Sequence, residues 1–126
     1  MTNRATVRSP LPEISENERK KPLCYDPARK KFILYDEIID GREPIFPVEE
    51  LSEEDAARLV IERNLKGPDY AMQIMSGAKY TRDDVVREIG KGTSFGRTAV
   101  AAEQSYLSEL LHQIKEAIGD RVTVQS

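Results

Sequence analysis

The densest group of chemically useful side chains lies between Lys79 and Arg97. Lys79, Arg82, Arg87, Lys91 and Arg97 are interleaved there with Gly90, Gly92 and Gly96 and with the hydroxyls of Thr93 and Ser94. A glycine-rich turn that opens a helix can hold an anion, because the first N–H groups of the helix have no intrahelical partner and carry the positive end of its dipole. That chemistry makes Lys91, Thr93, Ser94 and Arg97 the candidate anion-binding residues of a basic loop spanning 90–97. The spacing is not that of a P-loop. Five residues separate Gly90 from Gly96, and Arg97-Thr98 follows, whereas the motif has four residues before its Gly-Lys-Ser/Thr. The three glycines also miss the dinucleotide fingerprint. The bland alternative is that Gly90 caps one helix and Gly96 relaxes a tight connection to the next.

The same stretch can be read as a helix-turn-helix, with Thr81–Ile89 as first helix and the segment from Arg97 as recognition helix. Two features speak against it. The connection is longer than the usual short turn, and the second helix opens with Thr-Ala-Val-Ala-Ala-Glu, which offers little to read base edges.

Elsewhere the chemistry is thin. His112 is the only histidine and Cys24 the only cysteine, so no metal constellation and no nucleophile–base pair is expected, and no cofactor. Cys24 reads as a free, inert thiol. Glu49, Glu50, Glu53, Glu54 and Asp55 form an acidic run that complements a helix N-terminus. Adjacent carboxylates such as Asp36/Glu37 and Asp83/Asp84 do not face one another and give no support for acid–base catalysis. The reading leans away from an enzyme.

These residues must be positioned by elements that the patterning foretells. Residues 1–22 are rich in Pro, Ser, Asn, Glu, Arg and Lys with scattered apolar positions. Such a segment buries too little surface to offset its ordering entropy, so it is expected to be a disordered basic arm. Residues 23–126 form the single small domain. Asp26-Pro27 marks an opening turn, Lys31–Ile39 a strand, Asp40-Gly41 a tight turn, and Pro44–Val48 an edge strand or extended segment. Leu51–Leu65 is a helix capped by Ser52, with Ala56, Leu59, Val60 and Arg63 on one face. Gly67-Pro68 stops it. Asp69–Ser76 is ambiguous and leans to helix on its Ala, Met and Gln content. Thr81 caps the next helix, with Asp84 three residues on, and Gly90 ends it. The longest helix runs from about Arg97 to Ile118, and Val122–Val124 is a terminal strand or a frayed tail.

The fold class expected is therefore α+β, mainly helical, with an N-terminal β-hairpin packed on three or four helices and a long C-terminal helix. The apolar stripe of that helix includes Val100, Leu107, Leu110, Leu111, Ile114 and Ile118. It packs on the chain's own hairpin and shorter helices, or else forms the binding face for a protein partner or a homodimer.

Composition narrows the classes. The 126 residues are 39% hydrophobic and 33% charged, with a net charge of −3. Residues 1–31 carry eight Lys/Arg against four Asp/Glu, leaving an acidic remainder. An acidic balance argues against nucleic acid as the main partner. No apolar run is long enough to cross a membrane and no signal peptide is evident, so membrane insertion is not expected. The lone cysteine suits a reducing, cytoplasmic setting. The function expected is a non-catalytic interaction module, an adaptor, assembly subunit or small regulator, using the arm and the C-terminal helix. The alternative is a phosphate- or nucleic-acid-binding protein using loop 90–97.

Overall fold

The computed structural model describes residues 10–125, with side chains described to residue 119. In chain order the elements are α1 (Glu16–Arg19), β1 (Pro22–Asp26), β2 (Lys31–Leu34), α2 (Tyr35–Ile39), a 3-10 turn (Val48–Glu50), α3 (Glu53–Lys66), β3 (Ala71–Gln73), β4 (Lys79–Thr81), α4 (Arg82–Lys91) and α5 (Ser94–Gln125). The class is α+β and mainly helical, with an N-terminal hairpin and a long C-terminal helix.

That hairpin keeps Lys31–Leu34 of the expected strand but pairs it with residues before it rather than with Pro44–Val48. β1 pairs antiparallel with β2, so the segment 23–30 holds a strand and the turn that follows it. Asp26 makes the turn: its Oδ1 accepts from the N–H groups of Ala28 and Arg29, an Asx turn, and Lys30 takes a positive φ of 54°. The apolar run from Lys31 is strand only as far as Leu34. Tyr35 and Ile38, three apart, are both buried, a helical spacing. The Glu37 carboxylate accepts the Leu34 N–H at 2.9 Å and so fixes the start of α2. Pro44–Val48 is not an edge strand, since its two prolines cannot donate to a ladder. It runs extended into the 3-10 turn.

α3 is as expected. Ser52 Oγ accepts the Asp55 N–H, and Ala56, Leu59, Val60 and Arg63 form the buried face. Within 69–76, Ala71–Gln73 forms a strand and no helix is present. Between Pro68 and Gly77 there is room for barely two helical turns, too few to repay helix nucleation. The alternating Tyr70, Met72 and Ile74 instead lie along an antiparallel pair, β3 with β4, and Gly77 (φ +94°) supplies the turn. α4 opens on a full capping box: Thr81 Oγ1 accepts from Asp84 N–H, and the Asp84 carboxylate accepts from Thr81 N–H. It ends at Gly92, not Gly90. Gly92 is left-handed, and the N–H groups of Gly92 and Thr93 bond back to Ile89 and Glu88, the Schellman arrangement.

α5 starts at Ser94, three residues before the expected Arg97, because Thr93 Oγ1 caps it by accepting the Gly96 N–H. It then continues through Gly119 and the 122–124 segment to Gln125, so no terminal strand forms. At 32 residues it is about 48 Å long. One core cluster joins β1, β2, α2 and Leu59 to Leu107, Leu110, Leu111 and Ile114 of α5. A second joins Ala56 and Val60 of α3 to Val85 and Ile89 of α4 and Val100 of α5.

The described part of the expected arm is folded. Ile14 packs on the first core, residues 16–19 are helical, and Pro22 begins a strand. Charge pairing supplies what the segment's apolar content does not: Arg19 meets Asp36, and Glu18 meets Arg63 and Lys21. Residues 1–9 lie outside the described region.

Candidate binding groove

The two core clusters leave a groove of about 780 Å³ beside the second one, between α3, α4 and the start of α5. Ala56, Ile89 and Val100 close its floor, all of them buried. Ala57, Ile61, Gly90, Gly92, Gly96 and Ala101 line it with small or apolar surface, and Phe32 of β2 closes one side. Its rims differ in sign. α3 contributes Glu53, Glu54 and Glu62, with Arg58 among them. α4 and α5 contribute Lys91 and Arg97. Arg58 is already committed, donating to Asp55 at 2.7 Å and lying 5.9 Å from the Tyr25 ring centroid. Lys91 is exposed and has no ion pair among the described residues.

The groove depends on the close approach of α4 and α5. Gly96 is buried, and a Cβ there would sit 2.2 Å from the Glu88 carbonyl oxygen. Gly96 is thus the contact that seats one helix on the other. Tyr80 of β4 stacks on Phe95 with ring centroids 4.1 Å apart, which fixes the second hairpin against the same junction.

The structure brings Lys91 and Arg97 to one rim and engages several of the turn's own donors within it. The N–H groups of Gly92, Thr93, Gly96 and Arg97 all bond within the turn. Thr93 Oγ1 is occupied by Gly96 N–H and by Glu88, Arg97 Nη1 donates back to the Gly92 carbonyl, and Ser94 faces solvent. The physical reason is that the turn is tight enough to cap both helices with its own groups. The C-terminal stripe is likewise committed. Val100, Leu107, Leu110, Leu111 and Ile114 are 0–9% exposed and pack within the chain's own core. Ile118 is half-buried and lines a separate hollow of about 660 Å³ with Leu111 and His112.

Cys24 is fully buried, and burial pushes its thiol up to about 11, far from a reactive thiolate at neutral pH. His112 is exposed and lies 3.7 Å from Glu116. Among the described residues no group of three His, Cys, Asp or Glu could hold a metal ion, and no helix is long and apolar enough to cross a membrane.

Arg63 carries more than the sequence suggested. It is 2% exposed, donates to the Pro22 carbonyl at 3.0 Å, to both Glu18 oxygens at 2.9 and 3.1 Å and to Glu103 at 3.0 Å, and lies 5.7 Å from the Tyr106 ring centroid. Its only signal in the sequence is position: an arginine standing on the apolar face of α3. Burial pushes the Glu18 carboxyl up, but the hydrogen bonds and charges of Arg63 and Lys21 outweigh that and hold it below the ordinary 4.5.

No protein-family model, no curated protein and no solved structure matches this chain.

Proposed function

We propose that this chain is a non-catalytic protein-interaction module that receives an amphipathic helix of a partner protein in the groove between α3, α4 and α5. The observation that carries the reading is the pairing of an apolar, small-residue floor with rims of opposite sign, Glu53, Glu54 and Glu62 across from Lys91 and Arg97. Side chains of three helices form the walls, so the groove suits a helix docking by its apolar face rather than a strand that needs a backbone edge. The fitting partner carries a narrow apolar ridge, basic residues on the edge facing α3 and acidic residues on the edge facing Lys91 and Arg97. Such complementarity sets orientation and association rate more than raw affinity. A cytoplasmic setting goes with this reading, a lone buried thiol being at home in a reducing compartment.

The test is selection of helical peptides from a randomised amphipathic library on the intact chain. Enriched peptides should share the charge arrangement above. Their affinity should fall by roughly tenfold or more, about 1.4 kcal/mol, against Lys91→Glu/Arg97→Glu and against Ala101→Trp, which fills the groove from an exposed position. Swapping the peptide's acidic edge to lysine should restore binding to the charge-reversed variant. Peptides that bind these variants as well as the parent chain would remove the proposal.

A second reading keeps nucleic acid as the ligand. It is favoured by the connection between α4 and α5, only Gly92 and Thr93, far shorter than the sequence implied and compatible with a helix-turn-helix. Arg82 and Arg87 are engaged by carboxylates, which leaves Lys79, Lys91 and Arg97 as the cluster's phosphate contacts. Salt-dependent binding of duplex DNA, lost in Lys91→Glu/Arg97→Glu, would favour this reading over the first.

A further inference from the structure

The hairpin β3–β4 projects an edge that no described residue pairs with. Tyr70 accepts from Arg82 N–H, and Ile74 N–H donates to Ala78. With the register Ala71↔Thr81, Met72↔Tyr80 and Gln73↔Lys79, the pairs centred on Tyr70, Met72 and Ile74 face β4. Antiparallel alternation then turns the N–H and C=O of Ala71 and Gln73 outward. Among the described residues neither backbone group has a partner on that side. Natural edges are usually blunted by charge, proline or a bulge. From Tyr70 to Ala78 there is neither charge nor proline, and the pairing runs without a register shift. The exposure is correspondingly apolar: Tyr70 is 37%, Met72 41% and Met75 105% exposed. A two-stranded hairpin of this length is marginal alone.

We infer that this edge is a self-association surface, where β3 of one chain pairs antiparallel with β3 of a second copy about a twofold axis at Met72. The occupant follows from self-complementarity. In that register Ala71 lies opposite Gln73 of the second copy, and each such pair exchanges both backbone hydrogen bonds. Met72 meets Met72, and Tyr70 meets Ile74 on the same face, an aromatic on a β-branched side chain. Asp69 falls opposite the uncharged Met75, so no like charges meet. The product is a continuous sheet in the order β4-β3-β3-β4. The inference does not rest on the groove, which other elements build.

The experiment is light scattering of the full chain over a concentration series, with circular dichroism to confirm folding of each variant. The parent chain should double its mass as concentration rises. Met72→Lys and Met72→Glu should each weaken association by roughly tenfold or more, since they set like charges face to face. An equimolar mixture of the two should recover it. Ala71→Pro removes an outward donor without touching the β3–β4 ladder and should also weaken the dimer. Mild oxidation should crosslink Met72→Cys to itself, the two Cα atoms being close in a non-hydrogen-bonded pair. Gln73→Cys should not crosslink to itself. A parent chain that stays monomeric at millimolar concentration overturns the inference, as does a dimer that survives Met72→Lys and Ala71→Pro.

Discussion

A methyl group at position 96 has nowhere to go. The backbone of Glu88 and Ile89 already occupies the space, with atoms 2.2, 2.5 and 2.8 Å from where the Cβ would be, and backbone cannot rotate away as a side chain can. Gly96→Ala should therefore force α4 and α5 apart and cost about 1–3 kcal/mol, the usual range for overpacking. Gly90 makes the comparison. It is helical, and nothing lies within 4 Å of its missing Cβ, so Gly90→Ala should stabilise the chain by about 0.5–1 kcal/mol through helix propensity alone. Urea titration of the two variants checks both signs. In the sequence these glycines look alike, one as a helix cap and the other as a loosened turn. Their opposite roles depend on what stands beside each, which no local pattern encodes.

At the level of elements, the N-caps of α3 and α4 were readable and most of the strand boundaries were not. Ser52 and Thr81 both cap as their sequences imply, because a capping hydroxyl acts within three residues of itself. Thr81→Ala should cost about 1 kcal/mol and leave the transition cooperative, which thermal unfolding followed by circular dichroism can measure. The strands misled because pairing is not local. Lys31–Ile39 has strand composition throughout, yet its second half coils once Tyr35 and Ile38 can both reach the core. Asp69–Ser76 has helix composition, yet β4 was available to pair with it. Tertiary contact outweighs propensities that differ by a few tenths of a kcal/mol.

For the molecule as a whole, the Arg63 cluster ties the N-terminal segment to α3 and α5 at once. Glu18 lies 45 positions from Arg63 and Glu103 lies 40 from it, so the pairing forms only when the chain is folded. The Glu18 carboxyl is held below its ordinary 4.5. Its contribution is thus fully present above that unfolded value and is lost as pH falls through the lower folded one. Unfolding free energy measured against pH should drop on the acid side with a slope that Glu18→Gln reduces. At neutral pH that variant should cost about 1–3 kcal/mol, the range for a buried charged group losing a partner. The structure of residues 16–22 was not legible for the same reason: the segment's own apolar content is poor, and its anchor sits on elements distant in sequence.

The sequence on its own determined α3, α4 and the body of α5, the capping hydroxyls of Ser52 and Thr81, the class and the stripe of α5, since periodicity of 3.6 and short-range capping are local physics. Tertiary structure alone decided that most of the stripe is buried in the chain's own core, that Thr93 joins the end of α4 to the start of α5, and that three helices enclose a groove with rims of opposite charge. Those outcomes depend on which surfaces meet, and the free energy of meeting belongs to pairs of residues far apart along the chain.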